Sequence, residues 1–157
     1  MSQHRITLNW QRTSADFVYA TYNRGHTWTF KNGLVVEASA ATAYKGDADR
    51  VDPEEAFVAS ISSCHMLTFL AIASRQGFVV DRYIDEAVGH LEKNAQGRLA
   101  ITRVTLHPAI TFGPAPGNAP DEAALARLHE ESHEQCFIAS SVRTEIRVLA
   151  AGAVVGP

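Results

Sequence analysis

Cys64 and Cys136 are the only two cysteines among 157 residues, and each stands beside or near a histidine. Cys64 lies in Asp52-Pro53-Glu54-Glu55-Ala56-Phe57-Val58-Ala59-Ser60-Ile61-Ser62-Ser63-Cys64-His65, and His133 precedes Cys136 by three residues. Two such thiols could form a redox couple. They could equally be packed and inert, because the helical neighbours of Cys64 (Phe57, Ser60, Ile61, Leu67, Thr68, Ala71) are mostly apolar, and burial raises a thiol pKa. A reactive Cys64 needs an imported positive charge, for which Arg24, in the Tyr22-Asn23-Arg24-Gly25 turn, and His65 are the candidates. Glu54 precedes Cys64 by ten residues, about 15 Å along a helix axis. The two cannot meet on one small substrate within a single straight helix, so a site using both would draw on two chains.

Other chemistries have weaker support. His129, His133 and Cys136 fall at helical spacing i, i+4, i+7 and, with Cys64 or His65, could make a four-ligand zinc site. No compact metal motif supports it, and His129 and His133 read more simply as a solvated polar face. The segment Gly113–Gly117 lacks the Lys and Ser/Thr of a phosphate loop, and no Gly-x-Ser-x-Gly is present. A net charge of −3 gives no footprint for nucleic acid.

The elements that must carry these residues are legible in part. Ile6, Leu8 and Trp10 alternate, as do Phe17, Tyr19 and Thr21; His26 to Phe30 and Leu34 to Ala38 flank an Asn32-Gly33 hairpin signal, together predicting an antiparallel meander. Asp52 is placed as N-cap, Pro53 as the first helical residue and Glu55 as the return arm of a capping box, with the helix running to Gln76 and stopping at Gly77. That helix is apolar on almost every face, which predicts burial all round, and a chain this short would need a second copy to supply the cover. Its length would also span a bilayer, but its serines, His65 and its capping motif favour a core helix, with no membrane partner. Strands are predicted around Ile84–Lys93 and Arg98–His107 about an Asn94–Gly97 turn, a helix over Pro120–Gln135, and a strand over Thr144–Leu149. The order β-β-β-α-β-β-α-β implies an α+β fold with mostly antiparallel strands in a single domain, residues 1–157, with a frayed tail from about 150. The first residues, lacking a continuous apolar run, predict no signal peptide and hence the reducing cytosol, where a permanent disulfide is rare.

The run from Asp52 to His65, with His133-x-x-Cys136-x-Ile138-x-x-Ser141, resembles the OsmC/Ohr family of osmotically inducible and organic hydroperoxide resistance proteins. The resemblance covers nearly the whole chain, and each of its two motifs holds one cysteine. It implies an OsmC-like fold in an intertwined homodimer with sites at the subunit interface. It further implies that Cys64 is the peroxidatic nucleophile, that Cys136 resolves its sulfenic acid as a disulfide, and that Arg24 (or Arg12) holds the thiolate with Glu54 fixing the arginine. The activity implied is reduction of hydroperoxides, and the apolar surroundings of Cys64 (Phe57, Met66, Leu67) would suit an organic hydroperoxide better than hydrogen peroxide. A dithiol, lipoyl-type in the organic hydroperoxide branch, is the implied reductant, and no metal or other cofactor is called for. Phe137 stands where the organic hydroperoxide branch carries proline, and the Cys64-His65 pair is closer to the OsmC-like branches. A dimeric module that binds a small ligand, its cysteines buried and inert, is the competing expectation.

Overall fold

The structure, a computed structural model, describes residues 2–114, 117–152 and 154–155. The chain forms two compact units, Met1–Ala56 and Phe57–Pro157.

In the first unit, β1 (Thr7–Asn9), β2 (His26–Thr29) and β3 (Val35–Ala38) form an antiparallel sheet in that order, with Leu8, Trp28 and Val36 in one cross-strand row. Asn32 and Gly33 both adopt positive φ (62° and 75°), the conformation for which Asn-Gly is suited, and Phe30 N–H donates to the Leu34 carbonyl at 2.8 Å. The alternation at Phe17, Tyr19 and Thr21 predicts a strand that does not form. The Thr21 and Tyr22 N–H groups both donate to the Val18 carbonyl, the Thr21 hydroxyl bonds Asp16, and the Phe17 ring packs on Trp10 and Tyr22 instead of on a sheet neighbour.

The long helix α1 (Pro53–Arg75) begins as its sequence dictates. Glu55 N–H donates to Asp52 Oδ1 at 2.7 Å and Asp52 N–H to Glu55 Oε2 at 3.2 Å, a reciprocal capping box. It ends in a Schellman turn at Gly77 (φ 85°), where Phe78 N–H reaches the Ala73 carbonyl at 3.0 Å. α1 is the helix among the described residues with the length and mean hydropathy (1.8) to cross a membrane. Burial all round is not what the single chain provides: only the stripe Ile61, His65, Phe69, Ile72 and Ala73 is buried, while Leu67 is 59% exposed.

The second unit packs on that stripe with two three-stranded sheets. β4 (Val80–Asp85), β7 (Pro108–Phe112) and β9 (Val154–Val155) form one; β5 (Val88–Lys93), β6 (Leu99–Leu106) and β8 (Glu145–Val148) form the other. β4–β7 and β5–β6 are antiparallel, β7–β9 and β6–β8 parallel. The segment predicted as one strand over Ile84–Lys93 is therefore divided between β4 and β5, whereas the strand predicted over Arg98–His107 forms as β6, and β7, not predicted, follows it directly. At the break, Asp85 Oδ1 accepts the His107 N–H at 2.6 Å and Oδ2 accepts the Ser62 hydroxyl, while Pro108, which has no N–H, opens β7. The Asn94–Gly97 turn forms as predicted, closed by Asn94 N–H to the Arg98 carbonyl at 2.8 Å, with Gly97 at φ 74°. Part of the tail expected to fray is ordered into β9; residues 153, 156 and 157 lie outside the described set. Helix α2 (Glu122–Gln135) starts on Asp121, whose side chain accepts the Ala124 N–H at 2.7 Å.

Ile61 packs with Val104 and Leu106, and Phe69, Ile72 and Ala73 pack with Ile110, Phe112, Leu125 and Leu128. His65 falls on the stripe between these two apolar clusters.

A close approach in the first unit gives a test of the fold. A Cβ on Gly46 would lie 1.4 Å from the Ala40 carbonyl oxygen, so the backbone must move to admit it. Gly46→Ala is expected to cost roughly 1–3 kcal/mol, read as a lower urea midpoint with an unchanged m value; an unaltered midpoint would refute the close packing of this loop.

Candidate functional site

Cys64 lies mid-way along α1, one residue before His65 and so about 100° around the helix from the buried stripe. It is half-buried, and its thiol is free. Cys136 is the C-cap of α2, with extended backbone (φ −72°, ψ 115°), and is 1% exposed. This turn removes it from the helical row of His129 and His133 that a zinc site would need. Among the described residues no group of three or more His, Cys, Asp or Glu could hold a metal ion.

The Cys136 and Cys64 side chains are close enough for one thiol to act on the ionisation of the other. Burial, followed by the neighbouring Cys64, pushes the Cys136 thiol up to about 11, while the Ala139 N–H, 3.4 Å from Cys136 Sγ, pulls the other way. At neutral pH Cys136 therefore keeps its proton, and Cys64 is the sulfur closer to solvent. The turn after α2 is braced locally, since the Cys136 carbonyl accepts both the N–H and the hydroxyl of Ser140 at 3.1 Å.

His65 is 1% exposed and sets its Nε2 3.1 Å from His129 Nδ1. The ring planes are 5° from parallel with centroids 5.4 Å apart, and the Phe69 ring lies 4.7 Å from that of His129. Both imidazoles are held neutral, lowered from 6.5 to about 4: burial dominates for each, and for His65 the neighbouring His129 and His133 add to it while Asp85 opposes. With both rings neutral, one nitrogen donates and the other accepts; His129 Nε2 is buried without a partner among the described atoms. His129 is thus not on a solvated face. It belongs to the buried row Leu125, Leu128, His129, Ser132, whose i, i+3, i+4, i+7 spacing is the signal that could have located it. His133, by contrast, is exposed.

Arg24 and Glu54 are residues of the first unit. The Arg24 guanidinium covers the Tyr22 ring, 3.8 Å from its centroid, and donates to the Tyr22 and Tyr19 carbonyls. Glu54 makes no ion pair with it; the described ion pairs are Arg50 with Glu37 and Asp47, and Arg147 with Glu145. Arg12 instead donates to the Ser14 and Ala15 carbonyls. Arg24, Trp10, Phe17, Tyr22 and His26 line a recess of about 400 Å³, whose aromatic walls sequence reasoning did not single out. In the second unit a groove of about 540 Å³ runs past Leu67, Thr68, Ala71, Arg75 and Phe137, the residues that follow Cys64 on α1 and Cys136 on the turn.

The OsmC-like protein family profile matches residues 46–149. An OsmC-like protein of unknown function from Vibrio cholerae O1 biovar eltor str. N16961 is 42% identical, covering 96% of this chain and 100% of its own, with a TM-score of 0.91. Two more distant structures share the fold. An organic hydroperoxide resistance protein from Elizabethkingia anophelis is 18% identical over 99% of each chain (TM-score 0.66), and one from Bacillus subtilis is 18% identical over 99% of this chain and 98% of its own (TM-score 0.63). No curated protein matches.

The neutral histidine pair makes stability depend on pH. In the unfolded chain both rings take up protons near 6.5, whereas the folded chain resists until about 4, so stability is complete above 6.5 and falls as pH drops through that window. Between pH 7 and 5 the loss should be about 2 kcal/mol per ring, and His129→Asn should recover roughly half of it. Urea melts at the two pH values check this, and a midpoint that does not move would contradict burial of neutral rings.

Proposed function

Because this chain belongs to the OsmC-like protein family, we propose that it is a thiol-dependent peroxidase that reduces organic hydroperoxides, with hydrogen peroxide a poorer substrate, in defence against oxidative stress. The observation that carries the proposal is the closeness of the half-buried Cys64 to the protonated, buried Cys136. A sulfur that peroxide can reach stands near a second sulfur that holds a proton ready to leave with oxygen.

The reaction would proceed in three steps. The Cys64 thiolate attacks the distal peroxide oxygen; the O–O bond breaks, and the alkoxide takes a proton from water to leave as the alcohol. Cys64 is now a sulfenic acid. Cys136 sulfur then attacks Cys64 sulfur, the S–O bond breaks, and the leaving hydroxide departs as water with the Cys136 proton. A dithiol, of lipoyl type or similar, donates two electrons by successive thiol–disulfide exchange and restores both thiols. Arg24 is proposed to favour the thiolate and to orient the leaving oxygen, with Glu54 steadying its fork and His65 and His133 in support. The proposed assembly is a homodimer in the cytosol whose sites draw on both chains. The exposed apolar flank of α1, Leu67 above all, supports a second copy as cover. The exposed Leu67 and Phe137 along that groove, which also carries Arg75, Glu134 and Gln135, support an organic substrate over hydrogen peroxide.

A second reading, capture of a small apolar ligand with no turnover, is favoured by the aromatic recess around Trp10 and Phe17. One equivalent of cumene hydroperoxide separates the two. A peroxidase loses both titratable thiols and about 2 Da, and Cys136→Ser accumulates sulfenic acid at Cys64, while Cys64→Ser consumes no peroxide. Two thiols that survive excess peroxide would overturn the peroxidase reading and leave ligand capture.

A further inference from the structure

Disulfide closure sets a narrow geometric demand on this chain. The two Cβ atoms must come to about 3.5–4.5 Å with a defined dihedral, yet Cys64 and Cys136 are carried by different helices. What holds those helices in register is the question. The apolar contacts between them, Phe69, Ile72 and Ala73 of α1 against Leu125 and Leu128 of α2, are non-directional and tolerate sliding. The exposed contact between Gln76 and Glu131 is long at 3.3 Å and open to water. The directional, buried contact is His65 Nε2 to His129 Nδ1, at 3.1 Å between near-parallel rings. It is placed where it matters: His65 adjoins Cys64, and His129 lies seven residues, about 10 Å of helix, before Cys136.

We infer that the buried His65–His129 contact is a positioning latch, which fixes α2 against α1 so that the Cys136 sulfur closes on Cys64. Neither ring touches substrate in this role. The latch acts on the resolving step and leaves the attack of Cys64 on peroxide alone, because His65 lies on the buried stripe whereas Cys64 is set beside it, half-buried. The pair is also costly, since His129 Nε2 goes unpartnered in the interior. An apolar pair there would serve packing alone more cheaply.

The inference rests on the peroxidase reading for one arm of its test and not for the other. The variants are His129→Leu, which removes the partner of His65 Nε2, and His129→Asn, whose side-chain amide falls near the position of Nδ1 and keeps a hydrogen bond. Both are first shown to be folded by circular dichroism. In the exchange arm, the Cys64–Cys136 disulfide is equilibrated against glutathione with no peroxide present. His129→Leu should lower the effective concentration of the two thiols at least tenfold, about 30 mV, and His129→Asn should restore it to within threefold of wild type. In the peroxide arm, sulfenic acid at Cys64 should form at the wild-type rate in all three proteins, with disulfide closure slowed at least tenfold in His129→Leu only. Equal effective concentrations in wild type and His129→Leu, or a loss that His129→Asn does not repair, would overturn the latch. A wild type that never forms sulfenic acid would overturn the peroxidase reading instead, and the exchange arm would still decide the latch.

Discussion

A 23-residue helix that is apolar on most sides must be held by whatever packs on it, and the second unit packs on one stripe of α1: Ile61, His65, Phe69, Ile72 and Ala73. Each large apolar side chain buried there contributes roughly 1.5–3 kcal/mol, so the helix cannot rotate about its axis without losing several such terms. That rotational lock decides where every other residue of α1 points. Cys64, one position before the stripe, falls on its margin, sheltered on one side and reachable on the other. Ser62 reaches Asp85 and ties the helix to the break between β4 and β5. Leu67 is turned outward.

The interior so formed is not uniformly apolar. A polar seam crosses it where the two apolar clusters meet, comprising His65, His129 and the Asp85 carboxylate, which gathers the His107 N–H and the Ser62 hydroxyl. Tyr83 adds a buried hydroxyl without a partner among the described atoms, its pKa raised by burial and then by Asp85. Such groups cost stability wherever they are incompletely paired, and they restrict the packings available to the helices and strands around them. Asp85 shows this directly, because its two oxygens hold the point at which the strands divide between sheets.

The two cysteines differ by position more than by composition. Cys136 is buried at a helix end and braced by the N–H groups that follow it, which keeps it in place while its thiol remains protonated. Cys64 has a continuous helix behind it and more solvent before it. The proposed division into an attacking and a resolving sulfur is a consequence of this asymmetry. Apolar surfaces flank both, and Phe137, next to Cys136, is 84% exposed.

The ends of α1 were legible in the sequence because they depend on residues within four or five positions of one another: Asp52 with Glu55, Gly77 with Ala73 and Phe78. The same holds for the Asn32-Gly33 and Asn94–Gly97 turns, and the paired cysteine motifs pointed to the family. What local pattern could not decide was set by surfaces distant in the chain. The alternation at Phe17–Thr21 lost to an aromatic cluster with Trp10, and the break between β4 and β5 lies where Asp85 meets His107, just before β7. His129 looks like a polar face until α2 is laid on α1. By itself the sequence determined the two helices, the caps of α1 and the two turns, since those follow from backbone hydrogen bonding over a few residues, and it named the two candidate sulfurs. Only the tertiary structure decided that Cys136 faces Cys64 and that His65 and His129 share a buried bond, because both depend on how one helix seats against another, and that seating is fixed by packing across the whole unit.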